Sequence, residues 1–100
     1  MNYDLIIAIV NRGYADLVMD AAKSKGASGG TIVNARGTAG DVEKFFNISM
    51  QKEKEMIMIV VDHDKRHEIM EEISLKAGLK TDGQGIAFSL PVDEWVGLNK

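Results

Sequence analysis

The sequence has 100 residues, of which 45% are apolar and 27% are charged, and its formal net charge is -3 at pH 7. This length suits a single hydrophobic core, so we expect one domain over residues 1–100, and the acidic balance argues against a protein that binds nucleic acid. There is no cysteine, which excludes disulfides, a thiol nucleophile and a cysteine metal site.

The first ten residues predict a strand and no membrane segment. The apolar run from Leu5 to Val10 has no helical spacing and is too short to cross a bilayer. The residues before it lack the basic region of a signal peptide. We therefore expect a cytoplasmic protein that does not insert into the membrane.

A helix and two further strands follow. The apolar spacing from Tyr14 to Lys25 predicts an amphipathic helix that ends at Gly26. The β-branched run at 31–33 predicts a strand that ends in a loop spaced by glycines. Residues 41–54 are ambiguous, although alternating apolar residues suggest a hairpin arm, and 55–61 predicts a second strong strand.

The second half closes with a helix and a strand. Asp62 or Asp64 is expected to cap a helix that runs to Lys76 and stops at Gly78. Residues 86–90 then predict a final core strand.

Pro91 is expected to break the ladder of that strand because it has no N–H to donate. Residues 92–98, with Trp95, are expected to form a short extra strand or an arm docked on a neighbouring copy. The order of elements is β-α-β followed by β-α-β. It predicts an α+β, ferredoxin-like βαββαβ sandwich whose antiparallel sheet carries two helices on one face.

The first and third strands are apolar on both of their sides. In the first strand, Ile6 and Ala8 point to one face of the sheet, and Leu5, Ile7 and Ile9 point to the other. Two helices cover only one face. Copies of the same chain are the simplest cover for the second face, so the pattern predicts a homo-oligomer.

Two groups of residues suggest binding chemistry. His63 and His67 lie four residues apart among acidic residues, which suggests a surface metal site or simply an exposed, charged helical turn. Arg12 and Arg36, together with the glycine loops 37–40 and 82–85, suggest either an anion site or two ordinary turns. Neither a nucleophile elbow nor a carboxylate pair can be identified, so we do not expect an enzyme.

Four motifs in this order resemble the P-II signal-transduction proteins and their diverged, P-II-like relatives over nearly the whole chain. They are residues 7–10 before the first helix, 29–37, 59–62 at the start of the second helix, and 83–88. The resemblance implies a homotrimer whose sheets face one another, with an adenine nucleotide bound between subunits.

The resemblance also assigns roles to single residues. Gly29 and Thr31 would lie near the base, Gly37 and Thr38 would lead a loop past the phosphates, and Gly83 and Gly85 would wrap the other side. Ile9 and Val60 would line the floor of the pocket. The expected nucleotide site comprises Ile9, Gly29, Thr31, Arg36, Gly37, Thr38, Val60, Gly83, Gln84 and Gly85.

The chain departs from the family where phosphates are usually held. Ile86 replaces a lysine that follows the second glycine, and Trp95 and Gly97 stand where arginines are usual. Arg12, Arg36 or Lys80 could supply the missing charge. ATP, ADP and AMP are therefore candidate ligands, another small anion or no nucleotide remains an alternative, and no cofactor is required.

The recognition loop, which the family calls the T-loop, is shorter here and lacks the tyrosine that some relatives carry for uridylylation. Its partner-binding residues are expected to be Ala39, Gly40, Asp41, Val42, Glu43, Lys44, Phe45 and Phe46. The resemblance implies a regulator of nitrogen metabolism that controls an enzyme or a transporter, for example one in the membrane. The alternative is a metal-responsive or purely structural ferredoxin-like trimer that binds no nucleotide.

Overall fold

The fold is an antiparallel sheet with helices packed on one face. The computed structural model describes residues 2–38 and 52–98. Its elements are β1 (Tyr3–Asn11), α1 (Ala15–Ser24), β2 (Thr31–Arg36), β3 (Glu53–Asp62), α2 (Arg66–Ala77) and β4 (Ile86–Val92). The strands are ordered β2-β3-β1-β4, and all three neighbouring pairs are antiparallel. This arrangement confirms the α+β, ferredoxin-like fold.

The hydrophobic core lies between the sheet and the two helices. Alternate residues of β1 and β3 point into it, as the two-residue period of a strand requires. The helices contribute the residues that recur at helical spacing. The buried residues include Ile6, Ala8 and Val10 of β1, Ile57, Ile59 and Val61 of β3, Val18 and Ala22 of α1, and Ile69 and Ile73 of α2.

The opposite face of the sheet is apolar and is not packed against the helices. Ile7 of β1 pairs with Met58 on one side and with Phe88 on the other, so these three side chains share that face. Phe88 is 44% exposed and Leu90 is 47% exposed. We call this surface the open face. Its apolar character agrees with the two-sided pattern in the sequence.

The start of α2 differs from the prediction. A short 3₁₀ turn at His63–Lys65 precedes the helix, and the N-cap residue is Lys65. Asp62 occupies the N-cap position of the 3₁₀ turn, but neither helical segment has a side-chain hydrogen bond at its cap, so the prediction that Asp62 or Asp64 caps the helix with its side chain was wrong. The chain leaves β3 through the tight turn instead, and the aspartates lie outside the N-cap position of α2.

The end of the chain differs as well. Pro91 lies within β4, at the edge of the sheet, where a missing N–H is tolerated, so it does not break the strand. Residues 93–98 contain no strand. The ring of Trp95 packs edge-on against the ring of Tyr3, with 5.0 Å between centroids, so this segment folds back onto its own β1.

No helix in the described parts of the chain, 2–38 and 52–98, is long and apolar enough to cross a membrane.

Candidate functional site

Four strand ends meet at one end of the sheet. β1 ends at Asn11 and β2 ends at Arg36, while β3 begins at Glu53 and β4 begins at Ile86. Main-chain hydrogen bonds tie the connecting segments together here, from Arg12 N to the Glu53 carbonyl at 3.1 Å, for example. We call this region the loop end. It contains residues 82–85 and, from the other glycine-rich segment, Gly37 and Thr38.

Residues 81–85 form a compact turn at the loop end, which we call the glycine loop. The N–H of Gly85 donates to the Ala77 carbonyl at 2.9 Å and joins the loop to the end of α2. A Cβ atom at position 85 would collide with that carbonyl and would lie 2.7 Å from Cγ1 of Val10. Gly85 is therefore required by close packing, whatever its role toward a ligand.

Four of the five N–H groups of the glycine loop, those of Thr81, Gly83, Gln84 and Gly85, already donate within the chain. Gly83 N donates to Oγ1 of Thr81 at 3.2 Å, and Gln84 N donates to the Thr81 carbonyl at 3.0 Å. Thr81 N and Gly85 N donate to carbonyls of the α2 end. An anion at this loop would therefore depend on side-chain cations more than on a cradle of main-chain N–H groups, which is a change from the sequence-based hypothesis.

Asn11 joins the glycine loop to a lysine of β3. Its side chain is almost fully buried, and Nδ2 donates to the Asp82 carbonyl at 3.0 Å and more weakly to Oε1 of Gln84 at 3.4 Å. Oδ1 accepts from Nζ of Lys54 at 2.6 Å. Sequence reasoning missed both residues. No sequence signal indicates the pair, because it is the strand register that places Asn11 opposite Lys54.

Lys54 also contacts the segment that leads into residues 39–51. Its Cε lies 3.0 Å from where a Cβ on Gly37 would be, and Gly37 N donates to the Lys52 carbonyl at 2.7 Å. The lysine thus lies between the base of the predicted recognition loop and the glycine loop. It provides a cation at the loop end, where Ile86 had suggested that charge was missing.

The predicted nucleotide residues fall into two sets within one chain. Thr31 pairs with Met58 near the middle of β3, and Val60 pairs with Leu5 toward the far end of β1. At the strand rise of roughly 3.3 Å per residue, Thr31 lies about 17 Å from Arg36. The strand-start set is Gly29, Thr31 and Val60; the loop-end set is Ile9, Arg36, Gly37, Thr38, Gly83, Gln84 and Gly85.

The arginines and the lysine that the sequence suggested as anion ligands lie on the surface. Arg12, Arg36 and Lys80 are exposed. Arg36 belongs to β2 and not to the loop after it. Residues 39–46, the predicted partner-binding segment, lie outside the described residues.

The two histidines contact different carboxylates. Nδ1 of His63 lies 2.7 Å from Oδ2 of the buried Asp4, which also accepts from Arg66 at 3.3 Å. His67 lies 3.4 Å from Glu71 on the exposed side of α2. Within residues 2–38 and 52–98, no group of three or more His, Cys, Asp or Glu side chains is placed to hold a metal ion.

A family model described as "Nitrogen regulatory protein P-II" matches residues 3–99. The chain belongs to the P-II family. The predicted resemblance is thereby confirmed over nearly the whole chain. Members of the family are signalling regulators, so this is a small signalling protein.

Two solved structures have a similar fold. One is the PII protein of Arabidopsis thaliana bound to citrate, with 25% identity, a TM-score of 0.71, and coverage of 96% of this chain and 80% of that chain. The other is a PII-like signalling protein of Thermus thermophilus, with 17% identity, a TM-score of 0.69, and coverage of 92% of this chain and 87% of that chain. No curated protein matches the sequence.

Proposed function

We propose that this P-II protein is a cytoplasmic, non-enzymatic homotrimer that binds an adenine nucleotide or a related small anion between subunits. The open face supports assembly, because a contiguous apolar patch of this kind on a sheet marks an interaction surface. Copies of the chain would cover it by packing sheet against sheet. Each chain would then fold around its own core and bury its open face against the other two chains.

The position of the two site sets is the observation that carries the ligand hypothesis. Thr31 pairs with Met58, four residues from Lys54 on β3, so the two lie roughly 13 Å apart along the sheet, a span that an extended nucleoside triphosphate can bridge. Because the resemblance to the P-II family implies a site between subunits, the site would take the strand-start set from one subunit and the loop-end set from another. The base would lie against Thr31, and the phosphates would lie against Lys54 of the adjoining copy.

The charge at the loop end decides which ligands suit the site. Lys54 and the exposed Arg36 supply positive charge there, while Ile86 adds none. ATP, ADP and AMP are the nucleotides to test. Citrate is a useful further probe because the Arabidopsis relative was solved with it bound.

The regulated partner would be contacted by residues 39–46. This segment follows Gly37 and Thr38, so an anion at Lys54 would lie beside its base. Ligand binding would then shift the population of loop conformations that dock on the partner. A membrane transporter or an enzyme of nitrogen metabolism is the kind of partner we propose.

Calorimetry tests the ligand part of the proposal. ATP, ADP, AMP and citrate are titrated into the wild type, Lys54→Met and Lys76→Met, since Lys76 loses the same charge on α2, where it pairs with Glu72. Loss of a charge-assisted contact should weaken binding about tenfold in Lys54→Met and leave Lys76→Met unchanged. No heat with any of the four compounds would refute ligand binding and leave a purely structural assembly.

A further inference from the structure

We propose that Asn11 is the positioning residue of the anion site: it fixes the Lys54 ammonium and links that ammonium to the glycine loop. This inference rests on the proposed function, because it concerns how the same site responds to its ligand. Asn11 itself is not expected to touch the ligand. It acts through Lys54 on one side and through Asp82 and Gln84 on the other.

Both the amide nitrogen and the amide oxygen of Asn11 are hydrogen-bonded in this linkage. Only 6% of the residue is exposed, and its amide offers two N–H donors and one carbonyl acceptor. Nδ2 donates to the Asp82 carbonyl of the glycine loop, and Oδ1 accepts from Nζ of Lys54. A buried amide is costly unless it is paired, so any movement of Lys54 leaves Oδ1 in need of a new donor.

The Asn11 main chain adds a second contact to the loop. Asn11 N donates to the Gly83 carbonyl at 2.8 Å, so backbone and side chain hold residues 82–84 together. Gln84 has a φ of +47°, a left-handed conformation that a residue other than glycine adopts at some cost. The loop is thus held in a conformation that Gln84 would not favour alone, and Asn11 supplies part of that restraint.

Lys54 has capacity left for a ligand. An ammonium carries three donors, and the Asn11 carbonyl uses one of them at 2.6 Å. An anion that takes the other donors would pull on the same nitrogen. Because the lysine side chain lies beside Gly37, a displacement of Lys54 would affect the base of the recognition loop as well as the glycine loop.

A double-mutant cycle with ATP as the probe tests the linkage. The variants are Lys54→Met, Asn11→Leu and the double variant, with Lys76→Met as the charge control. We expect Lys54→Met to weaken ATP binding about tenfold, Asn11→Leu to weaken it severalfold, and the double variant to stay within about twofold of Lys54→Met. Wild-type affinity in Asn11→Leu, or losses that multiply in the double variant, would overturn the inference.

Amide hydrogen exchange tests the same linkage in the ligand-free protein. Lys54→Met should speed exchange at Gly83 and Gln84 severalfold although Lys54 is bonded to neither, and Lys76→Met should not. Asn11→Asp keeps the side-chain size, in case Asn11→Leu does not fold. Its carboxylate accepts from Lys54 but donates nothing to Asp82, so it too should speed loop exchange.

The two measurements separate the two proposals. No heat from the wild type with ATP, ADP, AMP or citrate refutes the proposed function. Unchanged exchange at Gly83 and Gln84 in Lys54→Met refutes the linkage through Asn11, whatever the ligand result.

Discussion

Glu55 on β3 accepts a hydrogen bond from the main-chain N–H of Gly13 at 2.8 Å, across 42 positions of sequence. The same Oε1 accepts from Ala15 N at 3.2 Å. Ala15 N belongs to the first turn of α1, whose N–H groups have no acceptor within the helix, and the N-cap residue, Tyr14, provides no side-chain hydrogen bond. A carboxylate from a neighbouring strand therefore caps this helix, and its negative charge suits the positive end of the helix dipole.

Glu55→Ala should lower the free energy of unfolding by about 1–2 kcal/mol, because the N–H groups of Gly13 and Ala15 lose their acceptor. Glu55→Gln keeps an oxygen and loses the charge, so it should cost less. Urea denaturation followed by circular dichroism measures both. Equal stability of Glu55→Ala and the wild type would show that this capping bond contributes nothing in solution.

Two adjacent glycines should respond differently to alanine. A Cβ at Gly30 would lie 2.8 Å from the Met58 carbonyl, whereas a Cβ at Gly29 meets nothing within 4 Å. We expect Gly30→Ala to cost about 1–3 kcal/mol of stability and Gly29→Ala to stay within about 0.5 kcal/mol. Thermal denaturation of the pair is the check, and a stable Gly30→Ala protein would mean that β2 lies farther from Met58.

Asp4 anchors the start of the 3₁₀ turn from inside the sheet. Its side chain is 5% exposed and accepts from Arg66 and contacts His63. Asp4→Asn should destabilise the protein by about 1–3 kcal/mol, because two partially exposed partners lose their charged acceptor. Glu71→Gln is the matched control: its contact with His67 is exposed, so its effect should be within about 0.5 kcal/mol.

A single introduced charge tests whether the open face is the interface between subunits. Phe88→Asp places a carboxylate on the apolar surface that the proposed trimer buries. We expect a monomer by light scattering with unchanged helix content. Val96→Asp, at a position 98% exposed, should leave the mass of the assembly unchanged. An intact trimer in Phe88→Asp would place the interface elsewhere.

The sequence predicts the local periodicities well and the long-range contacts poorly. The order of strands and helices follows from apolar spacing, and the open face follows from strands such as β1 that are apolar on both sides. The bonds from Glu55 to Gly13 and from Lys54 to Asn11 join residues about 40 positions apart. They depend on strand register, which composition and spacing do not determine when both faces of a strand are apolar.

The wrong predictions have the same origin. Asp62 and Asp64 are good capping residues by type, but the chain leaves β3 through a 3₁₀ turn before the helix begins. A proline is tolerated in an edge strand but not in a central one. Pro91 lies in β4, and only the strand order shows that β4 is an edge. The ring of Trp95 packs on Tyr3, a contact across the whole length of the chain.

The central claim is that two copies of the chain build one site, and subunit complementation tests it most directly. Thr31→Arg blocks the strand-start set, and Lys54→Glu reverses the charge of the lysine that lies beside the loop-end set. Each variant alone should fail to bind ATP at concentrations that saturate the wild type. In trimers co-expressed from both, random mixing restores both intact sets at about a quarter of the interfaces. Calorimetry should therefore find ATP binding with near-wild-type affinity at about that stoichiometry. Mixed trimers that bind no ATP, although wild-type trimers do, would contradict a site shared between subunits.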